Sequence, residues 1–204
     1  MKKLLMSCCV ILMFVFSVAN AADNDPVSML QTLANNMIAG LKSNQATLKS
    51  NPSVVYSLAY KIVVPKADIA YMSKSVIPPQ TWNSATPAQR TQFESEFTKL
   101  LVRTYASALS DYTSQTVKFF PVRGGYQGKP NVTVSSQIIR TDGPSISVNY
   151  RLISTPNGWK LYDMSVEGVS IIESFRSQFA GKLAQGNMQS LVQDLMKHNK
   201  ARGS

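Results

Sequence analysis

Residues 158–179 read GWKLYDMSVEGVSIIESFRSQF, and this stretch decides the fold. Residues 158–166 are rich in the aromatic and aliphatic side chains that β-strands favour, and Asn157-Gly158 at their start is a strong hairpin signal. Ser170 and Glu173 have the spacing of a capping box, in which each side chain satisfies the other residue's backbone N–H at a helix start. The stretch therefore predicts a strand, a tight turn and a helix joined without a linker.

Three more strands are predicted upstream of this stretch. Segments 114–121, 131–140 and 145–154 are rich in Val, Ile, Thr and Tyr, and turns containing glycine or proline separate them. In the third segment the apolar positions 146, 148, 150 and 152 alternate with the polar positions 147, 149 and 151. Such alternation predicts an antiparallel sheet with one buried face.

Helical periodicity dominates the rest of the chain. Residues 26–44 form one predicted helix, Asn51-Pro52 opens a second that Val64-Pro65 breaks, and a short third helix ends at Pro78-Pro79. Thr86-Pro87-Ala88-Gln89 predicts the start of a long helix. The C-terminal pair begins at Ser170 and after Gly186-Asn187.

The long helix is predicted to run to about Asp111 and to bury one apolar stripe. The order is thus helices, an antiparallel meander, then helices. This order predicts an α+β fold in which several helices pack on one face of a curved antiparallel sheet and enclose a hydrophobic pocket.

The first 21 residues are predicted to be a secretory signal peptide. Lys2 and Lys3 precede the apolar run 4–18, and Ala19-Asn20-Ala21 has the small-x-small pattern of a cleavage site, so we expect cleavage after Ala21. A lipoprotein signal with Cys8 as the lipidated residue is an alternative, although little chain separates that cysteine from the lysine pair. Residues 22–204 then form a single predicted domain.

The composition of that domain limits its function. Both cysteines, Cys8 and Cys9, lie in the signal peptide, so an exported chain is stabilised by its core alone. Without Lys2 and Lys3 the formal charge of +10 becomes +8, carried by scattered residues rather than by a basic run. A basic surface favours contact with anionic membranes or acidic proteins, and export argues against nucleic acid.

No catalytic or metal-binding set emerges, and no cofactor is predicted. His198 is the single histidine, so zinc and iron ligand sets and a histidine-based triad lack their residues. Asp163 and Glu167 are a nearby carboxylate pair that suits acid–base chemistry in principle. The simpler interpretation is that both carboxylates tie the corner between strand and helix.

Residues 158–179 also resemble the MlaC/toluene-tolerance family of periplasmic proteins. A tryptophan, a Tyr-Asp pair, Glu-Gly-Val-Ser and Arg-x-Gln-Phe occur there at the family's spacing. Pro65-x-x-Asp68 and Trp82 followed by Ala85-Thr86-Pro87 also resemble the family. Val76-Ile77-Pro78-Pro79 departs from it, so that loop is expected to take its own path.

The resemblance implies a function and a setting. It implies a fold related to the NTF2-like group and a periplasmic carrier that moves glycerophospholipid between the outer and inner membranes, maintaining the lipid asymmetry of the outer membrane. It also implies docking to an outer-membrane lipoprotein complex and to an inner-membrane ABC transporter complex with an MCE-type substrate-binding protein. The carrier is expected not to be an enzyme; an exported protein-interaction module with a filled core is the alternative.

Methionine and aromatic side chains suit a cavity for flexible acyl chains, since they adapt to irregular shapes. The candidate lipid-binding residues are taken from both the predicted strands and the predicted helices. They are Met72, Phe97, Leu101, Tyr105, Val134, Val148, Tyr150, Leu152, Met164, Val166, Val169, Ile172 and Phe175.

Overall fold

The computed structural model describes residues 25–48, 50–51, 53–110, 115–140 and 143–201. The predicted signal peptide and its cleavage site lie outside these residues. So do Pro52 at the predicted start of the second helix and Asp111 at the predicted end of the long one.

The N-terminal layer is a helix followed by a segment of changing helical pitch. Helix α1 spans Pro26–Ser43, and Asp25 caps it by accepting a hydrogen bond from the Val27 amide at 3.0 Å. Helix α2 (Ser53–Leu58) continues into a π-helical turn (Ala59–Val63) and a 3₁₀ turn (Val64–Lys66). Gly40 lets α1 approach this segment, because a Cβ there would lie 2.5 Å from Leu58 Cδ2.

Three helices follow, one more than the sequence predicts. Helix α3 spans Ile69–Val76, α4 spans Pro79–Ser84 and α5 spans Pro87–Ser110. Helix α4 was not predicted, because Pro78-Pro79 reads as a stop signal, yet Pro79 occupies the first turn of a new helix. The predicted cap of α5 is confirmed: Thr86 N donates to Gln89 Oε1 at 2.9 Å, and Gln89 N donates to Thr86 Oγ1 at 3.2 Å.

The four predicted strands are confirmed, and a short fifth is added. They are β1 (Thr116–Phe119), β2 (Asn131–Ile139), β3 (Ile146–Thr155), β4 (Gly158–Val166) and β5 (Val169–Ser170). They form an open sheet in the order β1-β2-β3-β4-β5, and each neighbouring pair is antiparallel.

Two local features shape β4. Arg151 pairs with Asp163 while Leu152 pairs with Leu161, so Tyr162 is an extra residue that forms a β-bulge. Glu167 (φ 49°) and Gly168 (φ 83°) then form the two-residue turn into β5. Positive φ at both positions is the geometry that matches the twist of a tight hairpin.

The C-terminal helices complete the fold. Helix α6 spans Ile171–Leu183 and α7 spans Met188–Ala201. Ser170 Oγ accepts a hydrogen bond from Glu173 N at 3.1 Å, as the capping box predicts, but the Glu173 carboxylate contacts Arg176 instead of reaching back. Helix α7 packs along α5, where Asn199 Nδ2 donates to Glu96 Oε2 at 2.8 Å.

The chain itself covers part of the free edge of β4. Ala67 forms a parallel bridge with Leu161, and Asp68 N donates to Leu161 O at 2.8 Å. Lys160 Nζ donates to Pro65 O beside this bridge. The connection between the 3₁₀ turn and α3 is therefore fixed to the sheet, and the predicted combination of helices with an antiparallel sheet is confirmed.

Candidate functional site

The inner face of the sheet is largely apolar across three strands. Cross-strand pairing places Val134, Tyr150 and Met164 in one row and Val148 beside Val166 in the next. This face is the one predicted from the alternation in 145–154. The bulge at Tyr162 keeps Leu161 and Met164 on the same face although they are three residues apart.

Helix α1 covers one end of this face. Leu30 packs there against Val132, Val134, Leu152 and Trp159, and all five side chains are buried. We call these five residues the sheet cluster. Tyr150 and Leu161 border this cluster and are only half-buried.

A second apolar cluster lies among the helices. Rings from α5 and α6 pack edge to face, with centroids 5.3 Å apart for Phe97 and Phe175 and 5.8 Å apart for Phe97 and Phe179. Leu101, Tyr105 and Met164 lie at its border and are half-buried. The buried members of this helix cluster are Met72, Val76, Ile77, Trp82, Ala85, Phe93, Phe97, Leu100, Ile171, Ile172, Phe175, Phe179, Met188, Leu191, Val192 and Leu195.

The third cluster joins α1 to the segment after it. Leu41, Leu48 and Val55 are buried together, and Leu58 and Leu109 border them. Among the described residues, the clustered buried apolar side chains thus form three groups. Half-buried side chains from the sheet and from α5 pack against the edges of these groups.

Most of the predicted lipid-binding residues lie in or beside the helix cluster and the sheet cluster, and they differ in how deeply they are buried. Met72, Phe97, Ile172 and Phe175 are buried in the helix cluster, and Val134 and Leu152 are buried in the sheet cluster. Leu101, Tyr105, Tyr150, Met164 and Val166 are half-buried, and Val148 is 2% exposed beside Val166.

Val169 is the predicted residue that lies away from the others. It is 64% exposed, because the turn at Glu167-Gly168 places it on the short edge strand β5. It is therefore not a member of the apolar surface formed by the other residues.

Sequence reasoning did not select Leu30, Trp159 or Ser136. Ser136 follows Val132 and Val134 at alternate positions of β2, so the register places it on the inner face, where it is 2% exposed. Its Oγ lies 3.4 Å from Tyr150 Oη. Burial raises the pKa of Tyr150, and the hydrogen bond to Ser136 opposes that rise.

The Asp163 and Glu167 carboxylates both accept hydrogen bonds from other groups of the protein. Asp163, 2% exposed, accepts hydrogen bonds from Met164 N at 2.8 Å, Ile172 N at 3.1 Å and Ser170 Oγ at 2.8 Å. The Glu167 carboxylate accepts from Ser147 N. Asp163 thus ties the corner between β4 and α6 as the simpler interpretation predicts, whereas Glu167 ties the end of β4 to β3.

Metal chemistry and membrane spanning find no support in the described part of the chain. It contains no group of three or more His, Cys, Asp and Glu residues placed to hold a metal ion. No helix among the described residues combines the length and apolarity needed to cross a bilayer. His198 is exposed on α7.

An open groove of about 430 Å³ is lined by none of the predicted lipid-binding residues, although Ala85 and Met188 of the helix cluster contribute to it. Its walls come from α4, the start of α5 and the start of α7, and they include Gln80, Gln89, Asn187 and Gln189. Uncharged polar side chains of this kind do not suit acyl chains, so this groove is distinct from the predicted site.

These features define a small α+β domain whose apolar interior is shared between an antiparallel sheet and a helical layer. The MlaC family model matches residues 31–197, and the chain belongs to the MlaC family. The expected family is thereby confirmed from residues along most of the chain.

Known relatives agree with this assignment. The chain is 29% identical over 170 residues to the toluene tolerance protein ttg2D of Pseudomonas putida, covering 83% of this chain and 78% of that protein. It is 24% identical over 175 residues to the intermembrane phospholipid transport system binding protein MlaC of Haemophilus influenzae, covering 84% of this chain and 80% of that protein.

A solved structure shares the fold. The phospholipid-binding protein of Ralstonia solanacearum, in complex with a phospholipid, superposes with a TM-score of 0.81 at 30% sequence identity. The match covers 88% of this chain and 99% of that one.

Proposed function

We propose that this protein is a phospholipid carrier that holds the acyl tails of a glycerophospholipid between its sheet and its helices. The observation that carries the proposal is the likeness to the Ralstonia solanacearum protein, which binds a phospholipid in the same fold. The relatives named for toluene tolerance and phospholipid transport support the same function.

The physical requirement for such a carrier is an apolar sheath. Each CH₂ group kept from water contributes about 0.8 kcal/mol, so two acyl tails need nearly complete cover to cross an aqueous space. The half-buried residues Leu101, Tyr105, Tyr150 and Met164 are suited to direct contact with the tails, because they border the clusters without being packed inside them. Val166, also half-buried, is suited to the same role because it pairs with Val148 on the inner face.

The buried candidates have a supporting place in this proposal. They pack behind the contact residues, hold them in position and make little direct contact with the ligand. They are Met72, Phe97, Val134, Val148, Leu152, Ile172 and Phe175.

Release of the lipid requires that the walls separate. The borders between the three clusters are the natural planes of movement, since motion there breaks fewer close contacts than motion within a cluster. The segment Ser53–Lys66, with its π-helical and 3₁₀ turns, connects α1 to α3 and is suited to absorb small helix shifts.

The proposed setting is the periplasm, after cleavage of the signal peptide behind Ala21. There the carrier would exchange lipid with an outer-membrane lipoprotein complex and with an inner-membrane ABC transporter complex that has an MCE-type substrate-binding protein. This exchange would maintain outer-membrane lipid asymmetry. The carrier needs no catalysis, in keeping with an Asp163 carboxylate whose oxygens bind the protein's own groups.

Native mass spectrometry of the purified protein, followed by lipid analysis of its organic extract, tests the proposal. We expect a phospholipid that is released on denaturation. A protein that is isolated empty and takes up no lipid from vesicles would refute the carrier function and leave the protein-interaction module with a filled core.

A further inference from the structure

The inner face of the sheet carries two hydroxyl groups whose hydrogen-bonding capacity is largely unused. Ser136 and Tyr150 face the helices from β2 and β3, and their oxygens lie 3.4 Å apart. That separation is long for a bond between hydroxyls, which are usually 2.5–3.0 Å apart. Buried polar groups normally have short, well-formed bonds, so this pair needs an explanation.

The two hydroxyl groups of this pair share a single hydrogen bond. Each hydroxyl has one O–H to donate, and a mutual bond uses one of the two. Neither side chain has a further hydrogen bond within the part of the chain that the structure describes, so one O–H lacks an acceptor whichever way the mutual bond points. Ser136 is buried and Tyr150 is half-buried, so an O–H left without an acceptor here costs free energy that a ligand acceptor would offset.

The surroundings of the pair indicate the kind of acceptor. Tyr150 contacts the ring of Phe119, with centroids 5.7 Å apart, and its row neighbours Val134 and Met164 are apolar. A neutral donor in an apolar wall suits a neutral acceptor, whereas a phosphate is bound more strongly by arginine or lysine. Next to its apolar tails a phospholipid offers neutral acceptors, the ester carbonyls that join the tails to glycerol.

We propose that the Tyr150 hydroxyl, held by Ser136, donates a hydrogen bond to an ester carbonyl of the bound phospholipid. This inference rests on the proposed carrier function and adds a specificity to it. Tyr150 would make the cavity prefer lipids with ester-linked tails over lipids with ether-linked tails of equal length. It would also place the glycerol end of the lipid beside the middle of β3.

Competition between matched lipids tests this preference. The purified protein is incubated with vesicles that contain equal amounts of dipalmitoyl phosphatidylcholine and its di-O-hexadecyl ether analogue, and is then separated from them. The extracted lipids are quantified by mass spectrometry. Because every variant meets the same vesicles, differences in how the two lipids leave the bilayer cancel.

The wild-type protein is expected to retain the ester lipid in about 2- to 12-fold excess, the range that a single neutral hydrogen bond supplies. Tyr150→Phe keeps the ring and removes the donor, so its bound lipids should return to the ratio set by the vesicles. Ser136→Ala should give an intermediate ratio. Tyr126→Phe is the matched control, because Tyr126 packs against Trp159 and not in the row of Tyr150, and it should keep the wild-type ratio.

Each contrary result has a distinct meaning. A Tyr150→Phe protein with the wild-type ratio, or a wild-type protein without preference, overturns the assignment but leaves the carrier function intact. A wild-type protein that retains neither lipid overturns both. Thermal unfolding of each variant confirms that a changed ratio does not come from a misfolded protein.

Discussion

Replacing Asp163 with alanine should loosen the corner where the sheet passes into α6. The Ile172 amide is at the second position of α6, where a helix supplies no acceptor of its own, and Asp163 Oδ1 accepts from it at 3.1 Å. Asp163 Oδ2 also accepts from Ser170 Oγ at 2.8 Å, which positions the cap for the Glu173 amide. One carboxylate thus organises the first turn of the helix.

The size of the effect follows from these bonds. A buried N–H left without an acceptor costs about 1–3 kcal/mol, and a disturbed cap adds about 1 kcal/mol, so Asp163→Ala should lose about 2–4 kcal/mol of unfolding free energy. Asp163→Asn keeps an oxygen for the Ile172 amide and gives up the charge that faces Arg151, whose side chain is 53% exposed. It should lose about 1 kcal/mol or less.

Urea unfolding followed by tryptophan fluorescence measures both losses. Glu173→Ala is the control, because this exposed carboxylate forms a surface ion pair with the exposed Arg176 and should shift stability by about 0.5 kcal/mol or less. An Asp163→Ala protein as stable as the wild type would refute the structural role. An Asp163→Asn protein of unchanged stability that lost a measurable hydrolytic activity would favour acid–base chemistry instead.

Three further changes test the site and the helical core. Val148→Arg places a charge at a position that is 2% exposed and should abolish lipid uptake from vesicles, whereas Ser147→Arg, on the exposed opposite face, should not; equal uptake by the two would exclude the inner face as the wall. Burial raises the pKa of Glu96, but hydrogen bonds from Lys99 and Asn199 outweigh this effect and hold the pKa below 4.5. The ionised Glu96 carboxylate therefore stabilises the fold above pH 4.5, and this contribution is lost as the pH falls through the lowered pKa. Glu96→Gln should therefore flatten the decline of the urea midpoint below about pH 4.5, and parallel pH curves would contradict this role. Phe97→Ala should cost about 3–5 kcal/mol in thermal unfolding, and a loss below about 1 kcal/mol would show that the ring cluster is not a packed core.

Local signals allowed much of the architecture to be predicted. The strands β2, β3 and β4 begin and end within one or two residues of their predicted bounds, because turns containing glycine or proline mark both ends. Helix α5 begins where Thr86 and Gln89 predict it, since a capping box specifies a helix start through residues only three apart. Features of this kind depend on residues close together in the sequence, so they can be predicted without knowledge of tertiary contacts.

The site depended on contacts that local patterns do not contain. In β4 both faces carry apolar side chains, and only the bulge at Tyr162 decides that Leu161 and Met164 share the inner one. Ser136 looks like an ordinary strand residue until its register with Val148 places it on that face. Val169 is apolar and was therefore expected to line the site, but the turn at Glu167-Gly168 leaves its side chain exposed.

The π-helical turn was also beyond sequence reasoning. Val64-Pro65 predicts a break, and the structure instead changes the helical pitch over Ala59–Lys66. The division of the buried residues into three groups likewise arises only when α1, α5 and the sheet are brought together. The relation to NTF2-like folds stays a prediction.

The bridge between Ala67 and Leu161 helps to protect the protein against aggregation at high protein concentration. An unpaired strand edge is a template on which another chain can add, and this is a common start of aggregation. Here the Leu161 carbonyl already accepts a hydrogen bond from Asp68 N, and β5 pairs with β4 at Ser165 and Val166. The segment at Ala67-Asp68 and strand β5 thus cover two parts of the β4 edge. Little of this edge remains free to pair with a strand of another molecule.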